Sequence, residues 1–185
     1  MEALETHEYK DRILKIYHDQ NPTSPNEWDG EATLVIWSRE YRLDEDGYIA
    51  YGQPEDFIDW AKQNKAFYLP VYAYIHSGIT ISTTPFSCPW DSGLFGFIYI
   101  TREQIKDWGH DWKRYSKKRK EMVDKWLEAS VKIWDQYLTG DVYGFELVEL
   151  AEEREEEINS CWGIYGSEEI ELMTKKFNET GEISI

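Results

Sequence analysis

Three residues of the types used in covalent catalysis lie near one another in the sequence: His76, Cys88 and Asp91. A cysteine activated by a histidine, with a carboxylate that orients the histidine, is an established nucleophilic arrangement. The segment also has a structural interpretation, because Pro89 favours an extended backbone at Cys88 and Asp91 begins a turn. We prefer the structural interpretation, so the sequence predicts a protein that is not an enzyme. A small cysteine-dependent enzyme that uses these three residues stays an alternative.

The spacing of the other residues gives no support for a metal or a cofactor. The four histidines and two cysteines include no CxxC or HxxxH pair, the spacings typical of zinc sites. Gly93 and Gly96 are followed neither by the GK[ST] of a P-loop nor by a third glycine of a dinucleotide site. We therefore predict no metal site and no cofactor, and we expect Gly96 to allow close packing within a strand.

A basic run occupies the start of a predicted helix. Such a cluster can bind phosphates, and it is the basis of an alternative hypothesis in which the protein is a nucleic-acid-binding accessory. Acidic residues follow on the same helix at the spacing of i,i+4 ion pairs, so a solvated face is the preferred interpretation. The residues of the alternative hypothesis are Lys113, Arg114, Lys117, Lys118 and Lys120.

Acidic residues form four dense groups, at 27–31, 44–46, 55–59 and 152–157, that have two interpretations. The first is ordinary solubility. The second is an array of carboxylates that imitates the phosphate backbone of DNA, which carries one charge per roughly 1.7 Å of helix axis. Composition does not place the acids on one face, so both stay open. The residues of the second interpretation are Glu27, Asp29, Asp44, Glu45, Asp46, Glu152, Glu153, Glu155, Glu156 and Glu157.

The overall charge limits the classes of partner. The net charge is −16, a field that repels DNA, RNA and anionic membranes and attracts basic surfaces. Fifteen acids and five bases in residues 1–60 and thirteen acids and three bases in residues 141–185 flank a middle with eight acids and twelve bases. Residues 66–100 contain one formally charged side chain, Asp91, which predicts that this segment is the buried centre of the fold.

The chain shows no sign of export or membrane insertion. Its first residues lack a basic end followed by an apolar stretch, and no run approaches the roughly twenty apolar residues of a membrane span. We therefore expect a cytoplasmic protein whose cysteines, Cys88 and Cys161, are free thiols.

The hydrophobic pattern predicts an α+β fold in a single domain over residues 1–185. We expect a mainly antiparallel sheet with helices packed on one side, including one long amphipathic helix. Pro70 suggests an edge strand or a bulge. The predicted strands are 8–17, 32–37, 67–75, 79–82, 94–100 and a hairpin of 142–150 and 158–164 with an acidic tip. The predicted helices are 54–65, one from Arg102 to a break near Gly109, 112–138 and 168–177.

Several segments together resemble a family of small acidic proteins that are carried by phages, plasmids and other mobile elements, mostly in Firmicutes. The most specific is PFSCPWDSG, from Pro85 to Gly93, and others are DQYLTGDVYGF at 135–145 and SCWGIYG at 160–166. The resemblance extends from about residue 26 to residue 166 and implies an anti-defence role in a bacterial host, with type II-A anti-CRISPR and antirestriction proteins among the candidates. It supplies no catalytic residues. The basic run and the acidic hairpin tip depart from the family pattern, so no family role is transferred to them.

Charge and resemblance together predict a non-enzymatic inhibitor of a host defence nuclease, a CRISPR-Cas9 type first and a restriction enzyme second. The acidic groups would bind the positively charged surfaces that normally hold nucleic acid. The expected partner is thus a nuclease and not a membrane, and direct binding of nucleic acid through the basic run is the alternative.

Overall fold

The computed structural model describes residues 2–28, 32–38, 41, 52–151 and 154–183. These residues form the α+β fold that the sequence predicts, with two antiparallel four-stranded sheets and four α-helices. The strands are β1 (Glu5–Tyr9), β2 (Arg12–His18), β3 (Thr33–Ile36), β4 (Phe67–Ile75), β5 (Ile79–Ser82), β6 (Ser92–Ile100), β7 (Val142–Ala151) and β8 (Arg154–Tyr165). The helices are α1 (Pro54–Asn64), α2 (Arg102–Asp107), α3 (Lys117–Thr139) and α4 (Ser167–Thr180).

The chain forms two compact units, each built on one sheet. The terminal unit comprises Met1–Thr23 and Gln136–Ile185, and its strands lie in the order β1-β2-β7-β8. The central unit comprises Ser24–Asp135, and its strands lie in the order β3-β6-β4-β5. The expectation of a single domain over residues 1–185 stays a prediction beside this division.

In the terminal unit, α4 covers one face of the sheet. Apolar residues alternate along β2 and β7, as expected for strands with one buried face, and the aligned pairs Leu14/Leu147 and Ile16/Phe145 point to the same side. Ile170, Met173 and Phe177 of α4 recur at three- and four-residue steps and pack on those pairs. This cluster fixes β7, the strand on which the edge strand β8 is hydrogen-bonded.

In the central unit, α1 packs on an aromatic face of the second sheet. Phe57 and Ala61 of α1 are fully buried against Val35 of β3 and Phe97 of β6. The rings of Phe57 and Phe97 stack with centroids 4.9 Å apart. The low-charge segment 66–100 contributes buried residues from β4, β5 and β6, but its Ile75, Trp90 and Leu94 are exposed, so the prediction that this segment is the buried centre of the fold is only partly confirmed.

The long helix α3 packs on strands and is tied to β5 by one carboxylate. Its apolar positions include Val123, Leu127 and Trp134, which are buried and follow the helical period. Near its end, Oδ1 of Asp135 accepts hydrogen bonds from the Thr80 hydroxyl at 2.8 Å and from the Ile81 backbone N–H at 2.7 Å. Asp135 therefore connects the helix to the edge strand of the central sheet.

Several predicted boundaries are corrected by the structure. Residues 8–17 do not form one strand, because the chain turns at Lys10, which has a φ of 57°, and continues as β2. Pro70 lies in β4, which is an interior strand, and the irregularity that it suggested is a register shift just after Val71. The long helix begins at Lys117 rather than near residue 112. The acidic hairpin tip predicted as a loop is largely strand, because β8 already begins at Arg154.

Candidate functional site

The acidic residues of β8 lie on an exposed edge strand. Glu155, Glu156 and Glu157 follow one another in β8, and all three are exposed. Because β8 is the last strand of its sheet, one of its two edges has no neighbouring strand among the described residues. Successive side chains of a strand point to opposite faces of the sheet, so Glu155 and Glu157 share one face, Glu156 lies on the other, and the three carboxylates place negative charge on both faces of the strand. We call these three residues the acidic strand.

Neighbouring side chains hold parts of the acidic strand in place. Glu155 forms an ion pair with Lys15 of β2, and the Ser160 hydroxyl donates a hydrogen bond to Oε1 of Glu157 at 2.9 Å. Glu156 lies opposite Glu149 in the β7–β8 register. Lys15 offsets part of the charge of Glu155, so Glu156 and Glu157 carry most of the uncompensated charge.

The negative charge is concentrated in the terminal unit. This unit has eighteen acids and six bases, a net charge of −12, whereas the central unit has eighteen acids and fourteen bases, a net charge of −4. Of the other predicted partner-binding residues, Glu27 is exposed in a short 3-10 helix of the central unit, Pro25–Glu27. Six of them lie outside the described residues, namely Asp29, Asp44, Glu45, Asp46, Glu152 and Glu153.

A ring stack and a glycine position the middle of β8. Trp162 of β8 stacks on Tyr17 of β2 with ring centroids 5.8 Å apart. Gly144 lies beneath this ring, and a Cβ there would come within 2.1 Å of the indole. The Tyr17 hydroxyl donates a hydrogen bond to Oε2 of Glu146 at 2.9 Å. Burial, together with that hydrogen bond and the negative charge of Glu146, raises the pKa of Tyr17 to about 12.

The three residues of the enzyme hypothesis lie close together, but Asp91 lies between Cys88 and His76. The Cys88 thiol donates to Oδ2 of Asp91 at 3.5 Å, and Nδ1 of His76 lies 3.8 Å from the same oxygen. In a nucleophilic triad, the base contacts the nucleophile and the carboxylate lies behind the base. Here Asp91 separates the other two, and Ser92 closes the loop by donating to the Cys88 carbonyl. The contacts support the structural interpretation of this segment.

An exposed tryptophan stands beside this loop, a feature that sequence reasoning missed. The side chain of Trp90 is 91% exposed, and Ile75 and Leu94 beside it are also exposed. These residues border an open groove of about 440 Å³ that Asp91 also lines. The signal in the sequence was a large aromatic residue inside a tight polar loop, between Pro89 and Asp91.

The basic run belongs to a larger group of cations around α2 and the start of α3. The expected i,i+4 pairing is sparse, since the ion pairs of the described residues include one from this group, between Lys117 and Glu121 at 3.8 Å. Burial and Glu121 raise the pKa of Asp124, which the charge of Lys120 partly opposes. We call this group the basic cluster; its members are Arg102, Lys106, Lys113, Arg114, Lys117, Lys118, Arg119 and Lys120.

Aromatic rings lie next to the basic cluster. The Arg119 guanidinium lies over the ring of Trp112 at 5.1 Å, and the Arg102 guanidinium lies over the ring of Tyr115 at 4.8 Å. Trp112 in turn stacks on Trp126 of α3. Sequence reasoning began the basic run at Lys113 and so left out Arg102.

Neither metal ligation nor membrane insertion has support in the residues described. No three His, Cys, Asp or Glu side chains in that part of the chain are grouped so that they could hold a metal ion. None of its helices is long and apolar enough to cross a membrane. Both cysteines are free thiols. Comparison of the chain with protein-family models, with curated proteins and with solved structures finds no match.

Proposed function

We propose that this protein is a non-enzymatic inhibitor of a host defence nuclease, of the CRISPR-Cas9 type first and a restriction enzyme second. The acidic strand of the terminal unit binds the positively charged surface with which the nuclease holds nucleic acid. The observation that carries the proposal is the run of three consecutive exposed glutamates, Glu155 to Glu157, on an edge strand.

Charge spacing supports this mode of binding. Phosphates of one DNA strand follow each other about every 3.4 Å of helix axis, and side chains on one face of a β-strand follow each other about every 6.6 Å. Glu155 and Glu157, which share a face, are therefore about as far apart as a phosphate and the second phosphate after it. The net charge of −12 on the terminal unit adds long-range attraction to a basic channel.

Rigidity supports it as well. Binding costs less entropy when the groups that bind are already ordered. Lys15 and Ser160 hold Glu155 and Glu157, and the stack of Trp162 on Tyr17 holds the strand that carries them. The carboxylates are thus presented on a hydrogen-bonded sheet and not on a free loop.

The test is a DNA-cleavage assay with a purified, guide-loaded type II-A nuclease, to which the protein is added in increasing amounts. The variant Glu155→Lys/Glu156→Lys/Glu157→Lys should raise the concentration for half-inhibition at least tenfold. The matched control, Glu128→Lys/Glu171→Lys/Glu179→Lys, makes the same change in net charge at exposed helix positions and should change it by less than about threefold.

The possible outcomes distinguish an error in the proposed binding surface from an error in the proposed class of partner. Inhibition that both variants retain equally would reject the acidic strand as the binding surface. Absence of inhibition by the unmodified protein, with this nuclease and then with a restriction enzyme, would reject the partner class. Circular dichroism of both variants confirms that each is folded before it is compared.

A further inference from the structure

The basic cluster is a region of positive charge on a protein whose net charge is −16. Between residues 102 and 120 there are eight bases and three acids. Lys113, Arg114 and Lys118 are exposed, and none of them takes part in an ion pair among the described residues. Like charges this dense repel one another, so a partner of opposite charge would be stabilising.

Two arginines of the cluster are held in place by aromatic rings. The rings of Trp112 and Tyr115 lie under the guanidinium groups of Arg119 and Arg102, and a nitrogen of Arg119 also donates to the carbonyl oxygen of Arg114 at 2.8 Å. A guanidinium ordered in this way loses little entropy on binding and presents a fork of donors that matches a phosphate. Its outer face is a plane on which an unpaired base can stack.

A cavity of about 370 Å³ lies beside these groups. This is within the range of small-molecule sites, about 300–1,000 Å³. Arg102, Lys106 and Trp112 line it together with the three carboxylates of Glu103, Asp107 and Asp111. The carboxylates repel phosphate but accept hydrogen bonds from the amino groups of bases. The cavity therefore suits a base, and the exposed lysines beside it suit the phosphates.

We infer that the basic cluster binds single-stranded nucleic acid, with the phosphates on the exposed bases at 113–120 and an unpaired base in the cavity. A duplex keeps its bases stacked and cannot offer one to the cavity. An anionic membrane is disfavoured because membrane-surface helices insert exposed apolar residues, and none of the exposed large apolar side chains in the described structure lies between residues 102 and 126.

The test is fluorescence anisotropy with a fluorescein-labelled 20-nucleotide DNA single strand of mixed sequence. Each phosphate contact on a single strand contributes about −0.7 to the slope of log affinity against log salt. Five exposed cations, Lys113, Arg114, Lys117, Lys118 and Lys120, therefore predict a slope of about −3.5. The affinity should then fall on the order of 100-fold between 50 and 200 mM salt.

A pair of charge-reversed variants locates the site. Lys113→Glu/Lys118→Glu should weaken binding at least tenfold at 50 mM salt and reduce the slope by about 1.4. Lys62→Glu/Lys175→Glu makes the same change in net charge at exposed positions outside the cluster and should leave the slope unchanged. The same 20-nucleotide sequence as a duplex should bind more weakly than the single strand.

Three results would overturn the inference: no binding of the single strand at 50 mM salt, equal losses in the two variants, or a duplex that binds as tightly as the single strand. Sedimentation with anionic phospholipid vesicles tests the alternative that the cluster binds a membrane. Binding to vesicles without binding to DNA would also overturn the inference. Because the cluster lies in the central unit and the acidic strand in the terminal unit, failure here leaves the proposed nuclease inhibition untouched.

Discussion

Replacement of Gly96 by alanine should lower the free energy of unfolding more than replacement of Gly93 or Gly144, which also lie in strands, by alanine. Gly96 lies in β6 opposite Ile36 of β3, and a Cβ built on it comes within 2.0 Å of the carbonyl oxygen of Val35. Ordinary carbon–oxygen contacts are no closer than about 3.3 Å. The obstacle is backbone, which cannot rotate away as a side chain can, so β3 must move.

The expected loss of stability in Gly96→Ala depends on the side chains that β3 buries. Overpacking alone costs about 1–3 kcal/mol, and displacement of β3 also exposes part of Leu34 and Ile36, which are buried and each worth about 1.5–3 kcal/mol when fully buried. We expect a loss of at least about 3 kcal/mol in the free energy of unfolding. For a chain of this length the melting temperature should fall by about 6–12 °C.

The assay is thermal unfolding, followed by far-ultraviolet circular dichroism and by tryptophan fluorescence. The matched control is Gly93→Ala in the same strand, where a Cβ meets nothing within 4 Å. It should be neutral or stabilising by up to about 1 kcal/mol, since alanine is less flexible than glycine in the unfolded chain. Gly144→Ala should lie between the two, because the obstacle there is the Trp162 side chain. Equal melting temperatures for the Gly96 and Gly93 variants would refute the reasoning.

Three further predictions concern single side chains. Because the pKa of Tyr17 is raised to about 12, above its value in the unfolded chain, the protein should lose stability relative to Tyr17→Phe as the pH rises from about 10 to about 12. Denaturation of both proteins at pH 9 and at pH 11.5 checks this, and a difference in stability that stays constant contradicts it. Asp135→Ala should lower the free energy of unfolding by about 2–4 kcal/mol, because two hydrogen bonds to a charged acceptor are lost. Asp135→Asn, which keeps an acceptor oxygen, should lower it by no more than half as much in chemical denaturation, and equal losses in the two variants would contradict the role of that oxygen. In a Cys161→Ser background, His76→Ala should change the rate at which Cys88 reacts with a thiol reagent by less than about twofold, because His76 contacts Asp91 and not the thiol. A tenfold lower rate would instead support the enzyme hypothesis.

The elements most visible in the sequence were those with strong local signals. Pro54 followed by acids predicted the start of α1, and the apolar runs at 67–75 and 79–82 predicted β4 and β5. The expectation that Gly96 permits close packing is confirmed by its contact with the backbone of Val35. These features follow from neighbouring residues alone, through dihedral preferences and the period of the pattern.

The features that were missed depend on pairing between distant parts of the chain. The acidic residues after Ala151 were taken for a loop because charge disfavours strand, yet pairing with β7 holds them in β8. The split of residues 8–17 rests on one left-handed residue, Lys10, which is not a glycine and so gave no turn signal. The order of contacts around Asp91 and the exposure of Trp90 likewise depend on how the loop folds, which spacing does not specify.

In the proposed function, the acidic strand competes with nucleic acid for one surface of the nuclease. The most direct measurement is fluorescence anisotropy of labelled target DNA that is bound to a guide-loaded, cleavage-inactive type II-A nuclease. Addition of the unmodified protein should displace the DNA, and Glu155→Lys/Glu156→Lys/Glu157→Lys should need at least about ten times more protein to do so. Inhibition of cleavage while the DNA stays bound, or displacement by the variant at the same concentration, would contradict the account.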